Sequence, residues 1–69
     1  MQGDDGGTAD EVQRTETGGV LVLHGNDEYA RKVAADLAIE HCGPKGFQIV
    51  KEEPGHVGDE RFIHYQCRN

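Results

Sequence analysis

Two short arrays in this chain combine side chains that can do chemistry. His41 adjoins Cys42, and the run HYQC places His64 three residues before Cys67. A thiol beside an imidazole can act as nucleophile and base, and two thiolates with two imidazoles match a donor set of tetrahedral zinc. The carboxylate pairs Glu52-Glu53 and Asp59-Glu60 are candidates for general acid-base work. One reading of the chain is therefore a cytosolic metal- or thiol-based regulator that uses His41, Cys42, His64 and Cys67.

Spacing weighs against each of these chemistries. On a strand, residues i and i+3 point to opposite faces, whereas zinc ligands must converge, commonly from a CxxC or HxxxH pair on a turn or helix. The chain contains no CxxC. A thiolate at the C-terminal end of a helix faces the negative end of the dipole, which blunts it as a nucleophile, and His41 reads more simply as a cation at that end. The carboxylate pairs flank a stretch of turn chemistry, EPGHVGDE, where solvated side chains are the ordinary reading. The run VLVLHGN resembles the strand and His-Gly turn before the oxyanion loop of alpha/beta-hydrolases, but those enzymes need a nucleophile on an elbow and this chain has no serine. No GxGxxG or Walker pattern is present. The expectation is a non-enzymatic protein with no metal and no cofactor.

The elements that position these residues follow from periodicity. VLVLHG, closed by Gly25, reads as a strand with apolar residues on both faces, so a helix on one side accounts for Val20 and Val22 or for Leu21 and Leu23, not both pairs. NDEYARKVAADLAIEHCG reads as a helix. Asn26 can cap it, Asp27 and Glu28 suit its positive end, and Gly43-Pro44 stop it. Its apolar stripe is Ala30, Val33, Ala34, Leu37, Ala38 and His41, with Ile39 and Cys42 at the margins. GFQIVKE and RFIHYQC alternate as strands and are joined by the Pro54-Gly55 turn region, which predicts an antiparallel hairpin.

The expected fold is α+β, in the order β-α-β-β, with one helix on a three-stranded mixed sheet. The last strand either lies at the edge or slots between the other two. Residues 19–69 form this domain. Residues 1–18 are rich in Gly, Asp, Glu and Thr, poor in anything that packs, and carry most of the net charge of -6. They read as a disordered acidic tail, because ordering them costs about 1–2 kcal/mol per residue with little burial in return. The negative balance and the lack of a basic cluster speak against nucleic acid.

That topology brings the two cysteines together. A crossover helix ends near the start of the following strand, and the antiparallel last strand finishes at the same end, so a Cys42–Cys67 disulfide is expected. In the chain-entropy account, closing a loop of about 26 residues contributes roughly 3.5 kcal/mol. The register that joins them places Phe47, Ile49, Ile63, Tyr65 and Cys67 toward the helix. Val50, Phe62 and His64 then face away from it, as a candidate surface for another protein or for a homodimer through the helix-free side of the sheet.

The segment ARKVAADLAIEHCGPKGFQIVKEE, a helix ending at Cys42, then Gly46-Phe47, Ile49 and Glu52 entering a hairpin that closes on an aromatic and a cysteine, resembles small bacterial cell-envelope lipoprotein domains. The resemblance covers residues 26 to 67. It implies a strand-helix-hairpin domain without catalytic residues, in the cell envelope or periplasm, tethered by a polar linker to a lipidated N-terminal cysteine. Met1 stands where neither a signal peptide nor such a cysteine is visible, so any membrane attachment rests on an anchor outside this chain. The function expected from these features is extracytoplasmic binding or sensing.

Overall fold

A computed structural model describes residues 6–68. Its elements are β1 (Thr8–Thr15), β2 (Gly18–His24), α1 (Asp27–Cys42), a 3-10 turn (Gly43–Lys45), β3 (Phe47–Pro54) and β4 (Arg61–Cys67). The strands form one sheet in the order β1-β2-β4-β3, and every neighbouring pair is antiparallel. The α+β class holds, with two corrections. The sheet has four strands instead of three, and it is antiparallel instead of mixed, because β4 inserts between β2 and β3 and no parallel neighbours remain.

The extra strand comes from the segment expected to be a disordered tail. Residues 8–15 pair with β2, and only residues 1–5 of that segment's start lie outside the described residues. Few apolar side chains are needed because β1 is an edge strand. Ala9 alone is fully packed under α1, while Val12 sits at a register irregularity and is exposed. Glu16 and Thr17 close the hairpin, and among the described residues only glycines adopt positive φ. The connection therefore lacks the Asn-Gly or Asp-Gly signature by which tight hairpins are read from sequence.

α1 forms as its sequence dictates. The Asn26 side chain accepts a hydrogen bond from the Tyr29 amide at 3.0 Å, Asp27 and Glu28 occupy the first turn, and Gly43 follows at φ 83°. Ala30, Ala34 and Ala38 are buried, with Val33, Leu37 and Cys42 packed around the same core. Small side chains let the helix approach the sheet closely. It lies mainly over β1 and β2. Leu21 and Leu23 project into the core beside Ile63 and Tyr65, which settles which apolar pair of β2 faces the helix.

Tyr65 is 2% exposed, and its ring needs the room left by Gly19 on β2. A β-carbon at Gly19 would lie 3.0 Å from the Tyr65 hydroxyl oxygen and 2.5 Å from the Gln13 carbonyl oxygen. Neither atom can retreat freely, since one belongs to a buried ring and the other to a paired backbone. Gly19→Val is expected to cost about 1–3 kcal/mol, the range for overpacking. Urea unfolding should show a lower midpoint at unchanged slope, and an unaltered midpoint would contradict the packing described here.

Candidate functional site

Cys42 and Cys67 are joined in a disulfide, with their Cα atoms 5.1 Å apart. The register delivers this: Phe47 lies opposite Cys67 and Ile49 opposite Tyr65, so the start of β3 and the end of β4 meet beneath the end of α1. His41, the last-turn imidazole, has Nε2 2.7 Å from the Thr15 carbonyl oxygen and so donates a proton to it. That contact ties α1 to the β1–β2 hairpin. The Tyr65 ring stands edge-on to both His41 and Phe47, and its hydroxyl donates to Glu11 at 3.3 Å. Burial raises the Tyr65 pKa, with the neighbouring Glu11 charge adding to it, while the hydrogen bond from Arg14 lowers that of Glu11. This polar cluster docks β1, and no pattern in the sequence marked it.

The four residues of the metal or thiol reading do not converge. His64 projects from the opposite face of the sheet to Cys67, both thiols are consumed in the disulfide, and His41 is engaged by Thr15. Among the described residues, no group of three or more His, Cys, Asp and Glu side chains could hold a metal ion. The carboxylate pairs also split. Glu52, opposite Ile63, binds Arg31 of α1 at 2.8 Å, whereas Glu53, opposite Phe62, binds His64 on the far face at 2.6 Å. Asp59 accepts the Gly25 amide at 3.0 Å, and Glu60 turns back to the His56 amide at 3.2 Å and to His24 at 3.7 Å. The His24-Gly25 turn is thus a tie between β2 and the loop before β4.

The helix-free face brings together the three residues expected there. Val50 is 54% exposed, and Phe62 and His64 are half-buried. Val20 pairs with His64 and Val22 with Phe62, giving an apolar strip across the two interior strands. The His56 ring packs edge-on against Phe62, with ring centres 6.2 Å apart. An open depression of about 480 Å³ lies along the strip, lined among others by Gln13, Thr15, Val20, Val50, His64 and Gln66. The His64–Glu53 bridge frames this surface. The hydrogen bond from His64, aided by the Lys51 charge, holds the Glu53 pKa below its ordinary value.

Comparison with protein-family models, with curated proteins and with solved structures found no match to this chain.

Two outcomes follow from this geometry. Replacing both cysteines by serine should lower stability by about 2–4 kcal/mol, read as a fall in the urea midpoint. A midpoint equal to that of the oxidised protein would show that the cross-link contributes nothing. The lowered Glu53 pKa makes its stabilising contribution fully present above the unfolded-state value of about 4.3 and lost as pH falls through the folded value. Glu53→Gln should therefore unfold at lower urea than the wild type at pH 7, and the gap should close as pH drops below about 4. A gap that stays constant or widens in acid would reverse the assignment.

Proposed function

We propose that the chain is a non-enzymatic binding or sensing domain of an oxidising, extracytoplasmic compartment, and that it meets its partner through the helix-free face of the sheet. The observation that carries this reading is the apolar strip of Val20, Phe62 and Val50, half-buried to exposed around buried Val22, on the side of the sheet that α1 does not cover. Apolar side chains grouped in this way mark interaction surfaces more often than singly scattered ones do. The polar frame of His64, Glu53 and Gln66 supplies hydrogen-bonding groups at the rim, as protein interfaces commonly have. The disulfide supports the compartment, because such bonds persist where the surroundings are oxidising. The likeness of residues 26 to 67 to cell-envelope lipoprotein domains points the same way, toward the soluble part of a small envelope lipoprotein.

A partner protein that covers Phe62 should be lost when that residue becomes charged. Phe62→Lys is expected to keep the helix and the disulfide, shown by circular dichroism and intact mass, and to abolish retention of envelope components captured by the immobilised wild type. Identical retention by both proteins argues against this face. The compartment is tested separately on protein recovered from its own cells with thiols blocked at lysis. A gain of about two mass units on later reduction reports the native bridge, and blocked free thiols instead place the chain in a reducing environment.

A further inference from the structure

Between α1 and β3 lies an apolar slot of about 120 Å³, lined among others by Leu21, Phe47, Ile49 and Ile63; the charged residue in its lining, Arg31, is already paired with Asp27 and Glu52. The helix-free face is different. Ionisable side chains surround its apolar strip, and three of the chain's four histidines are among them. His64 stands between Val20 of β2 and Lys51 of β3, with Nε2 2.6 Å from Glu53. His24, at the end of β2, has Nε2 3.7 Å from Glu60. The His56 ring lies against Phe62, while its backbone amide donates to Glu60. His41, the fourth, is on the helix side and bonded to Thr15.

The other charges on this face are few. From β1 comes Asp10, opposite Val22; from β3 come Lys51 and Glu53, 3.8 Å apart; from the loop before β4 comes Glu60. Asp59 is turned to the Gly25 amide, and Arg61 to Asp27 at the start of α1. At the far end of the sheet Glu16 and Arg68 border one depression and cancel in sign. Three carboxylates against one ammonium leave the face at -2 while its imidazoles are neutral. Protonating His24, His56 and His64 brings it to +1. Imidazole is the side chain that changes charge between about pH 5 and 8. Carboxylates keep theirs there, Glu53 all the more because the bond from His64 holds its pKa below the ordinary value.

We propose, resting on the reading of this face as the docking surface, that docking is proton-gated: the face holds its partner while the three imidazoles are neutral and lets go as they charge. An apolar centre framed by net negative charge, on a chain of net charge -6, fits a partner protein with basic side chains around an apolar contact. Acid reverses the sign of the frame, so the same partner is then repelled. His56 adds to this. A partner that covers Phe62 also covers the His56 ring, which among the described residues meets no carboxylate, and a charged imidazole taken out of water without a counter-charge is costly to bury.

Two nitroxides of equal size and opposite charge read the potential of the face with no partner present, through the relaxation they add to the amide protons of Val22, Phe62 and His64. The cationic-to-anionic ratio is expected to fall about threefold or more from pH 7.5 to pH 5.5, and to change far less in H24Q/H56Q/H64Q. Envelope components retained by the immobilised wild type at pH 7.5 are then washed at pH 5.5. One proton that must leave an imidazole on docking changes affinity by about tenfold per pH unit at most. Retention should therefore fall about tenfold or more over this range, and by about twofold or less in the triple variant, whatever its level at pH 7.5. Retention that Phe62→Lys leaves intact sinks the docking reading, and the gate with it. Retention that Phe62→Lys removes but that is equal at both pH values overturns the gate alone. A wild-type nitroxide ratio that does not move with pH also overturns it, as does a triple variant that releases as much as the wild type.

Discussion

Joining Cys42 to Cys67 ties the end of α1 to the last residue of β4, an interior strand, across a sequence separation of 25. The rest of the fold leans on that bond because so little else holds the helix down. The residues α1 buries completely are alanines, which allow close approach but each remove little apolar surface from water. A chain of 69 residues has little core to spare, and a cross-link that restricts the unfolded chain compensates for it. Weaker ties complete the docking. His41 reaches Thr15 near the disulfide, and at the other end of the helix Arg31 reaches Glu52 while Arg61 contacts Asp27.

The helix lies mainly over β1 and β2, and two different surfaces result. One is the open face, where Val50 and Phe62 lie among histidines and carboxylates contributed by β2, β3 and β4. The other is the flank beside β3, where the floor of the core comes close to solvent under Ile49. Each is apolar, but their frames differ: imidazole–carboxylate pairs border the first, and the Arg31–Glu52 bridge borders the second. His41 caps a carbonyl, His24 and His64 meet carboxylates, the thiols are bonded to each other, and Glu52 and Glu53 diverge to opposite sides of the sheet.

Strong local signals made much of this legible in the sequence. Asn26, the alanine spacing and Gly43-Pro44 defined α1, and strict alternation in FQI and RFIHYQC defined the inward faces of β3 and β4, hence the meeting of the cysteines. β1 was hidden because an edge strand can be held by its ladder with one inward apolar residue, Ala9, while its next inward residue, Glu11, is polar and satisfied by the Tyr65 hydroxyl. Val12 breaks the alternation, and Glu16-Thr17 carries no turn signature. The antiparallel character of the sheet depended on where β4 was inserted, which local patterns do not encode. Val50, Phe62 and His64 could be assigned to one face by parity alone. The slot beside β3 could not, because it arises from the sideways displacement of α1, a property of the whole assembly.

Both outermost strands are broken by an irregular residue, β1 between Glu11 and Gln13 and β3 between Ile49 and Lys51. An uninterrupted rim of unpaired amides and carbonyls is a template on which further chains can add without limit. Kinks at Val12 and Val50 twist each rim out of line within a few residues. Such interruptions leave neither rim as a continuous template for further strands, which suits a small domain that exposes aliphatic side chains such as Val12 and Val50 at its edges.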